Sequence, residues 1–473
     1  MPAAPLTLAL TMATTAPAPH YTILAATRGI SGQFESVTTN LAFLDPALTY
    51  GNTKVELTLA RNDVRYAGLG TGQTQIGVGA ALDSLERNAI GDASGVIDAL
   101  KTLTVPEVGP ALDAIGGIGL MGIPRSMQVQ SRALTQQISS RLNVLQHAST
   151  VASFANEFDR GVLLAMNDSD TEQARPVYVA ALSGASADTR ITNTNSGIWL
   201  RGVGGAGNFD VTSTADANFS SVGLLGGFDQ KLNDGLILGV LAGYSDSQLD
   251  QNTPSSNSDV TSWRIGGYGR WQPARVHIDA LLSYGGDRFE TVRHLAIGTL
   301  DRNARANFDG HTYNAYLEVG YTLPWTPYAP VSIDPYFGLQ WTSQTHDTYS
   351  ETGAGALNLI VPEETADSLR GVTGLRVEYR NETIHAGMIS AEIRGAWAHE
   401  FIGEAAVSAR LSGDPTGTVF QARGRNFPSD SALLGTGISF QKDRHWRVFA
   451  DFDAELNAAQ ETFGVSAGVR YSW

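Results

Sequence analysis

From Ser196 onward, apolar and polar residues alternate one by one, in runs broken by glycine-rich or polar stretches. A period of two places successive side chains on opposite faces of an extended strand. In Val276–Gly286, Val276, Ile278, Ala280, Leu282 and Tyr284 share one face, opposite His277, Asp279 and Ser283. In Tyr313–Leu323, Tyr313, Ala315, Leu317, Val319 and Tyr321 oppose Asn314, Tyr316, Glu318 and Thr322. The closing stretch Glu461–Trp473 sets Phe463, Val465, Ala467, Val469, Tyr471 and Trp473 against Thr462, Gly464, Ser466, Gly468, Arg470 and Ser472. Thr261–Trp271, Ile389–Phe401 and Trp446–Leu456 follow the same rule. Less regular strands are predicted near 196–209, 220–232, 236–250, 331–347, 368–379 and 431–441, which makes twelve strands in all.

Their connections alternate in length. Short turns are expected at Lys231–Gly235, Gln272–Arg275, Pro324–Pro330, Arg380–Thr383 and Lys442–His445. Long polar loops are expected at 210–219, 251–258, 292–306, 348–367 and 402–430, with 457–460 a single short exception. Short turns on one rim, long loops on the other and an even strand count describe an all-β transmembrane barrel of 12 antiparallel strands. An apolar strand face tipped by aromatics needs a cover, and lipid can supply it. A charge on the lipid face costs roughly 2–4 kcal/mol at mid-membrane, so the ionised face must line the lumen. Arg264, Arg270, Glu318, Glu392, Arg394, Asp451 and Asp453 are therefore the expected lumen-facing residues. Aromatics near strand ends, such as Tyr284, Tyr321, Trp397, Trp446 and Trp473, suit interfacial girdles. A soluble β-sandwich would need neither the alternating loop lengths nor charges along the length of many strands.

The first 195 residues read differently. Residues 20–65 are β-rich, with Tyr21–Leu24 and Gly32–Val37 as short strand candidates and Val55, Leu57 and Leu59 alternating with polar neighbours. The last coils of a β-solenoid are the preferred reading of this segment. Residues 70–165 turn helical: Ala80, Leu82 and Leu85 suggest one helix, while Leu134, Ile138, Leu142 and Leu145 share a face of another that starts near Ser126. Gly109–Gly122 reads as loop, and the polar stretch 166–195, with Pro176, as linker. Three domains follow: 1–65, the end of a β-solenoid; 66–190, a helical junction and linker partly in the pore; and 191–473, the barrel. The linker 166–195 is the preferred pore plug by position, and helix 126–145 the alternative.

Composition removes other classes. The chain holds no run of eighteen apolar residues, so no transmembrane helix is expected. A net charge of −15 over 473 residues argues against a nucleic-acid partner. There is no cysteine, which excludes disulfides and thiolate chemistry. The N-terminus has a short apolar run with no preceding Lys or Arg, unlike a signal peptide, so an exported chain is expected to be a fragment or to start at an internal Met.

Against this background several stretches resemble the autotransporters, the type V secretion family of Gram-negative bacteria. Ser196–Gly205 (SGIWLRGVGG) looks like the family's first barrel strand, Trp397–Phe401 (WAHEF) like its late-barrel motif, and the closing GVRYSW like its C-terminal assembly signal, with Val469, Tyr471 and Trp473 carrying that signal. Tyr21–Val37 and Leu41–Tyr50 resemble the end of the exported passenger. The resemblance implies an outer-membrane translocator, a monomer assembled by the barrel-assembly machinery and periplasmic chaperones. It implies lipid around the barrel, the chain's own passenger segment in the pore, and a passenger at the cell surface or beyond. It implies no cofactor and no enzymatic role for these residues. The other readings are a porin-like channel or an adhesin acting through loops 348–367 and 402–430, and an outer-membrane enzyme with its site at the barrel rim.

Chemical motifs give way to strand readings. Gly202–Gly207 has dinucleotide-fingerprint spacing but no following helix. Gly464–Gly468 has nucleophile-elbow spacing but no room for the strand–turn–helix it requires. His399-Glu400 lacks a second zinc-spaced His, the nine histidines are scattered, and Asp451 and Asp453 read as a solvated lumen pair. Some autotransporters cleave themselves near an Asn in the pore. Asn193-Thr194-Asn195 lies just before the first strand, but there is no Asn-Asn pair. Full-length product is therefore expected on a gel of outer membranes, and a fragment beginning near residue 194 would reverse that expectation.

Overall fold

The computed structural model describes residues 6–8, 20–165 (side chains through Leu145), 196–211, 216–233, 235–252, 255–324, 330–383, 387–403, 406–423 and 428–473. The alternating stretches form twelve antiparallel strands. In chain order they are β1 (Ser196–Asp210), β2 (Asp216–Asn233), β3 (Leu236–Asn252), β4 (Ser255–Trp271), β5 (Val276–Ile297) and β6 (Leu300–Tyr321). They continue as β7 (Val331–His346), β8 (Glu364–Thr383), β9 (Gly387–Ile402), β10 (Asp430–Gln441), β11 (Trp446–Asn457) and β12 (Gln460–Ser472). Each strand pairs with its sequence neighbours, and β12 pairs with β1 from Gln460↔Phe209 to Ser472↔Gly197. Trp473 and Ser196 exchange backbone hydrogen bonds of 3.0 and 3.3 Å, which ends the seam. The sheet is a closed 12-stranded barrel with no free edge, as a spanning β-structure must be.

The outward face carries apolar side chains bounded by aromatic residues. Trp263 and Trp271 on β4, and Tyr313 and Tyr321 on β6, are exposed rings at the two limits of the band. Their spacing is roughly 26 Å along a strand rising ~3.3 Å per residue, or about 20 Å of thickness at a tilt of about 40°. Between the rings lie exposed Ile265, Leu282, Leu317, Val319 and Val465, which suits hydrocarbon.

Beyond the upper ring the pattern inverts. On β5 and β6 the inward residues Phe289, Leu295, Ile297, Ala304, Ala306 and Phe308 are buried apolar groups. The outward side carries Arg288 and Asp309, paired at 3.2 Å and 70% and 62% exposed. These strands therefore leave lipid near Tyr284 and Tyr313 and continue as a water-facing tower. Residues 292–306, expected as a polar loop, are unbroken ladder that turns only at Ile297↔Leu300. Of the expected loops 210–219 and 251–258, residues 210, 216–219, 251–252 and 255–258 are strand. Residues 348–367 and 402–430 contain Tyr349–Ser350, Leu359–Val361, Ala406–Leu411 and Val419–Arg423, which join in one four-stranded sheet.

Upstream, Tyr21–Ala25, Lys54–Arg61 and Leu44–Tyr50 make an antiparallel three-stranded sheet. Of the Gly32–Val37 candidate only Val37 is strand, in Val37–Thr39. Three short helices follow, α1 (Gln73–Arg87), α2 (Asp92–Lys101) and α3 (Val105–Ile115), and then the long α4 (Gly122–Ala165). The expected loop at Gly109–Gly122 is thus mostly helix. Val108, Ala111, Leu112 and Ile115 bury one face of α3, and Glu107 accepts the Thr104 N–H at 2.8 Å at its start. Burial of that stripe outweighs the local cost of Gly109 and Pro110. α1–α3 cover the barrel mouth and share one apolar core with Phe209, Phe219, Leu249, Phe289, Phe308, Leu357, Leu411 and Phe420.

Leu317→Arg, at the middle of the outward band, is expected to destabilise the assembled barrel by about 2–4 kcal/mol, whereas Asn307→Arg, outward on the tower, is expected to leave it unchanged. Equal effects in denaturant titrations of the reconstituted protein would show that the outward band does not sit in hydrocarbon.

Candidate functional site in the barrel lumen

The segment 122–145 contains Arg125, Arg132 and Arg141 and no Asp or Glu. As a helix it spans about 36 Å at ~1.5 Å per residue, enough to cross the membrane band. It is unusual in burying polar groups all round: Arg125, Ser126, Gln128, Ser131, Arg132, Thr135, Ser139, Ser140, Arg141 and Asn143 are all buried. Such a helix is stable only where its charges and most of its polar groups find partners. The barrel wall supplies most of these, and α4 runs inside the barrel from the tower end to the short-turn end. It begins at Gly122, one turn before the start expected at Ser126.

One stripe of α4 is apolar. Leu134, Ile138 and Leu142 pack on Trp199, Leu225, Leu241, Tyr268 and Leu281, which project from β1 to β5. The rest is held by charge. Near the tower end, Arg125 donates to the carbonyls of Asp210 (3.0 Å) and Ala459 (3.2 Å) and lies over the Phe209 ring. At mid-lumen, Arg132 bridges Glu400 (2.8 Å) and Glu455 (3.0 Å), and Arg370 from β8 shares Glu455. Thr135 accepts from Gln340 (2.9 Å) and Asn314 (3.2 Å), and Ser140 donates to Asp451 at 2.6 Å. Lower down, Arg141 pairs with Asp229, stacks on Trp199, and shares Asp229 with Arg470. Three wall arginines reach the helix backbone: Arg201 donates to the Gln137 carbonyl (3.3 Å), Arg270 to Leu142 (3.1 Å) and Arg447 to Val144 (2.7 Å).

The seven residues expected in the lumen fall into three groups. Arg270, Glu318 and Asp451 touch α4, Glu318 through a 3.4 Å contact with Ser139. Glu392, Arg394 and Asp453 bond one another, Arg394 lying 2.7 Å from each carboxylate. Arg264 pairs with Asp287 at 2.7 Å. Strand parity puts Glu400 and Glu455, partners of the helix arginines, on the inward face; sequence reasoning left out the helix's own arginines and Asp229, together with Arg376, which clamps Glu318 at 2.6 Å. The available signal was a helix with three cations and no anion, opposite a wall rich in carboxylates. The plug reading of 166–195 and the cleavage reading at 193–195 lie outside the described residues. Of the C-terminal three, Val469 pairs with Leu200 and Tyr471 with Ile198, and Trp473 packs near Phe228.

Among the described residues, one buried group has metal-ligand spacing: His277, Asp279 and Glu318. Arg270 pairs with Asp279 and Arg376 with Glu318, so the donor set is that of an ion-pair cluster.

The family model described as Autotransporter beta-domain matches residues 198–453. An extracellular serine protease of Serratia marcescens is 23% identical over 95% of this chain and 43% of its own length. Esterase EstA of Pseudomonas aeruginosa is 26% identical over 39% of this chain and 29% of its own length. The chain thus spans less than half the length of these curated relatives. The solved translocator domain of autotransporter NalP from Neisseria meningitidis aligns at a TM-score of 0.48 and 15% identity, covering 62% of this chain and 93% of that one.

Arg132→Met strands buried carboxylates and is expected to loosen the helix by about 3 kcal/mol, a roughly 100-fold rise in thiol labelling of a single cysteine placed at Ile138. Arg132→Met with Glu400→Gln should recover part of that protection. Unchanged labelling in both would show that these ion pairs do not hold the helix.

Proposed function

The chain belongs to the autotransporter beta-domain family, and from that premise we propose that its barrel is the outlet through which residues N-terminal to α4 reach the cell surface. Residues 196–473 are an outer-membrane autotransporter barrel, with the exported part at or beyond the surface. One observation carries the proposal: a polar, cationic helix stands in the lumen and runs on at its tower end into α1–α3. A chain that had never crossed the barrel would have no reason to be threaded this way. On this reading residues 1–65 are the end of a β-solenoid passenger and 66–190 a helical junction and linker, part of it in the pore, with the short turns in the periplasm. Arg264, Arg270, Glu318, Glu392, Arg394, Asp451 and Asp453 keep the lumen polar, so that a chain can pass and then be held.

The serine protease and esterase named above suggest that the exported part of the whole protein can be an enzyme; nothing in residues 20–145 supplies a catalytic constellation among the described residues. Barrel-assembly machinery and periplasmic chaperones are the proposed assembly partners, with Val469, Tyr471 and Trp473 as the signal they read. The seam geometry supports this, because Val469 and Tyr471 lie on the strand that closes the ring and Trp473 follows it directly, bonded to Ser196. The adhesin reading is weakened by loops 348–363 and 406–423, whose apolar side chains turn inward to α1–α3.

Single-channel recording tests the proposal. The intact chain should conduct little, and removal of residues 1–190 should open a large, steady conductance. An intact chain that is already open would favour the channel reading. Removal of Trp473 should cut the yield of heat-modifiable, assembled barrel several-fold; an unchanged yield would remove this residue from the signal.

A further inference from the structure

α4 fills the lumen, yet the structure builds a second obstruction outside it. The tower strands, the two long loops and α1–α3 meet in one apolar core above the barrel mouth. None of these parts is suited to stand alone. Helices of 15, 10 and 11 residues are marginal in water without packing. The tower would expose Phe289, Leu295, Ile297 and Phe308 to water if its inner face were bare.

Polar latches fix the arrangement. Arg293, 1% exposed on the inner face of β5, pairs with Glu351 of one loop and donates to the Ala114 and Ile115 carbonyls at the end of α3 and to the Leu357 carbonyl. A cation at those carbonyls suits the negative end of the helix. Arg302 of β6 holds Asp92 of α2 through two bonds of 2.7 and 2.9 Å. That guanidinium, together with the Ala356 N–H, keeps the Asp92 carboxyl below its usual range against a smaller cost of burial. On α1, Ser84 donates to Asp414 at 3.0 Å and meets Thr416 at 2.6 Å. Gly77 lets α1 lie so close to the loop that a β-carbon there would come within 2.9 Å of the Phe420 β-carbon. Ile118, Leu120 and Met121 extend this core over the mouth, against Phe209 and Leu249.

We infer that residues 66–121 stay docked on the outer rim after export and, with loops 348–363 and 406–423, form an extracellular cap that closes the pore a second time. The docking surface is the inner face of the tower and loops, and its occupant is the chain's own junction segment. The inference rests on the translocator reading, since only an exported junction would meet the rim from outside.

The experiment uses the full chain, which has no native cysteine. With Ser84→Cys and Thr416→Cys displayed on intact cells, a disulfide is expected in most assembled molecules. Two thiols that both react with a membrane-impermeant maleimide would overturn the cap while leaving export intact. Labelling of the loop thiol at residue 416 alone, with no disulfide, would mean that the segment never reached the surface, which overturns the translocator reading as well. Conductance then tests sealing. Ser139→Asp with Ser140→Asp sets new carboxylates against Glu318 and Asp451 and repels α4. Alone, this pair should leave conductance at least about tenfold below that of the same chain carrying Gly77→Leu and Arg302→Ala, which lift the cap. Equal conductance in the two would show that the cap does not seal.

Discussion

A helix with three guanidiniums and many hydroxyls cannot sit in a barrel surrounded by hydrocarbon unless the wall answers its charges and most of its polar groups. Here the wall does so with carboxylates, amides and three arginines aimed at the helix backbone. Removing such groups from water is costly, and only close pairing offsets that cost. The rest of the molecule follows from this requirement. The inward strand face is polar because α4 is polar, and the outward face is apolar because lipid lies beyond it. The strict alternation of the strands is the trace of those two solvents. The Leu134, Ile138 and Leu142 stripe sets which side of the lumen the helix leans on, and the charges set its height.

The same strands obey a second rule above the membrane. Past Tyr284 and Tyr313 the inner face becomes apolar and the outer face charged, because the inside now meets protein and the outside meets water. One ladder thus carries two opposite patterns, joined at a ring of aromatics. This gives the tower an inner surface suited to short helices that are too small to fold alone.

The parts legible in the sequence were those exposed to lipid. Val276 to Tyr284 and Tyr313 to Tyr321 hold an apolar residue at every outward position, since hydrocarbon tolerates few lapses. The closing strand reads equally well, and with it the family. The tower was lost because residues 292–306 alternate in the reverse sense and hold several charges, which resembles a polar loop. α3 was lost because Gly109 and Pro110 disguise a helix that tertiary burial sustains. In the lumen, Arg270, Glu318 and Asp451 were visible from strand parity, but their contacts with α4 were not. Arg125, Arg132 and Arg141 recur at no single helical repeat, since each faces a different strand, and their hydrogen-bond partners lie from 85 to 335 residues away.

The seam between β12 and β1 has a consequence for how such a molecule comes into being. The ring cannot shut until the strand made last meets the one made first, so every earlier intermediate has two raw borders of unpaired amides and carbonyls. In water those borders invite foreign strands; in a bilayer each unmet group costs several kcal/mol. Gradual entry into lipid, one hairpin at a time, is therefore uphill throughout. The barrel must be sheltered until its final strand arrives, and it becomes a membrane protein only at the moment of closure.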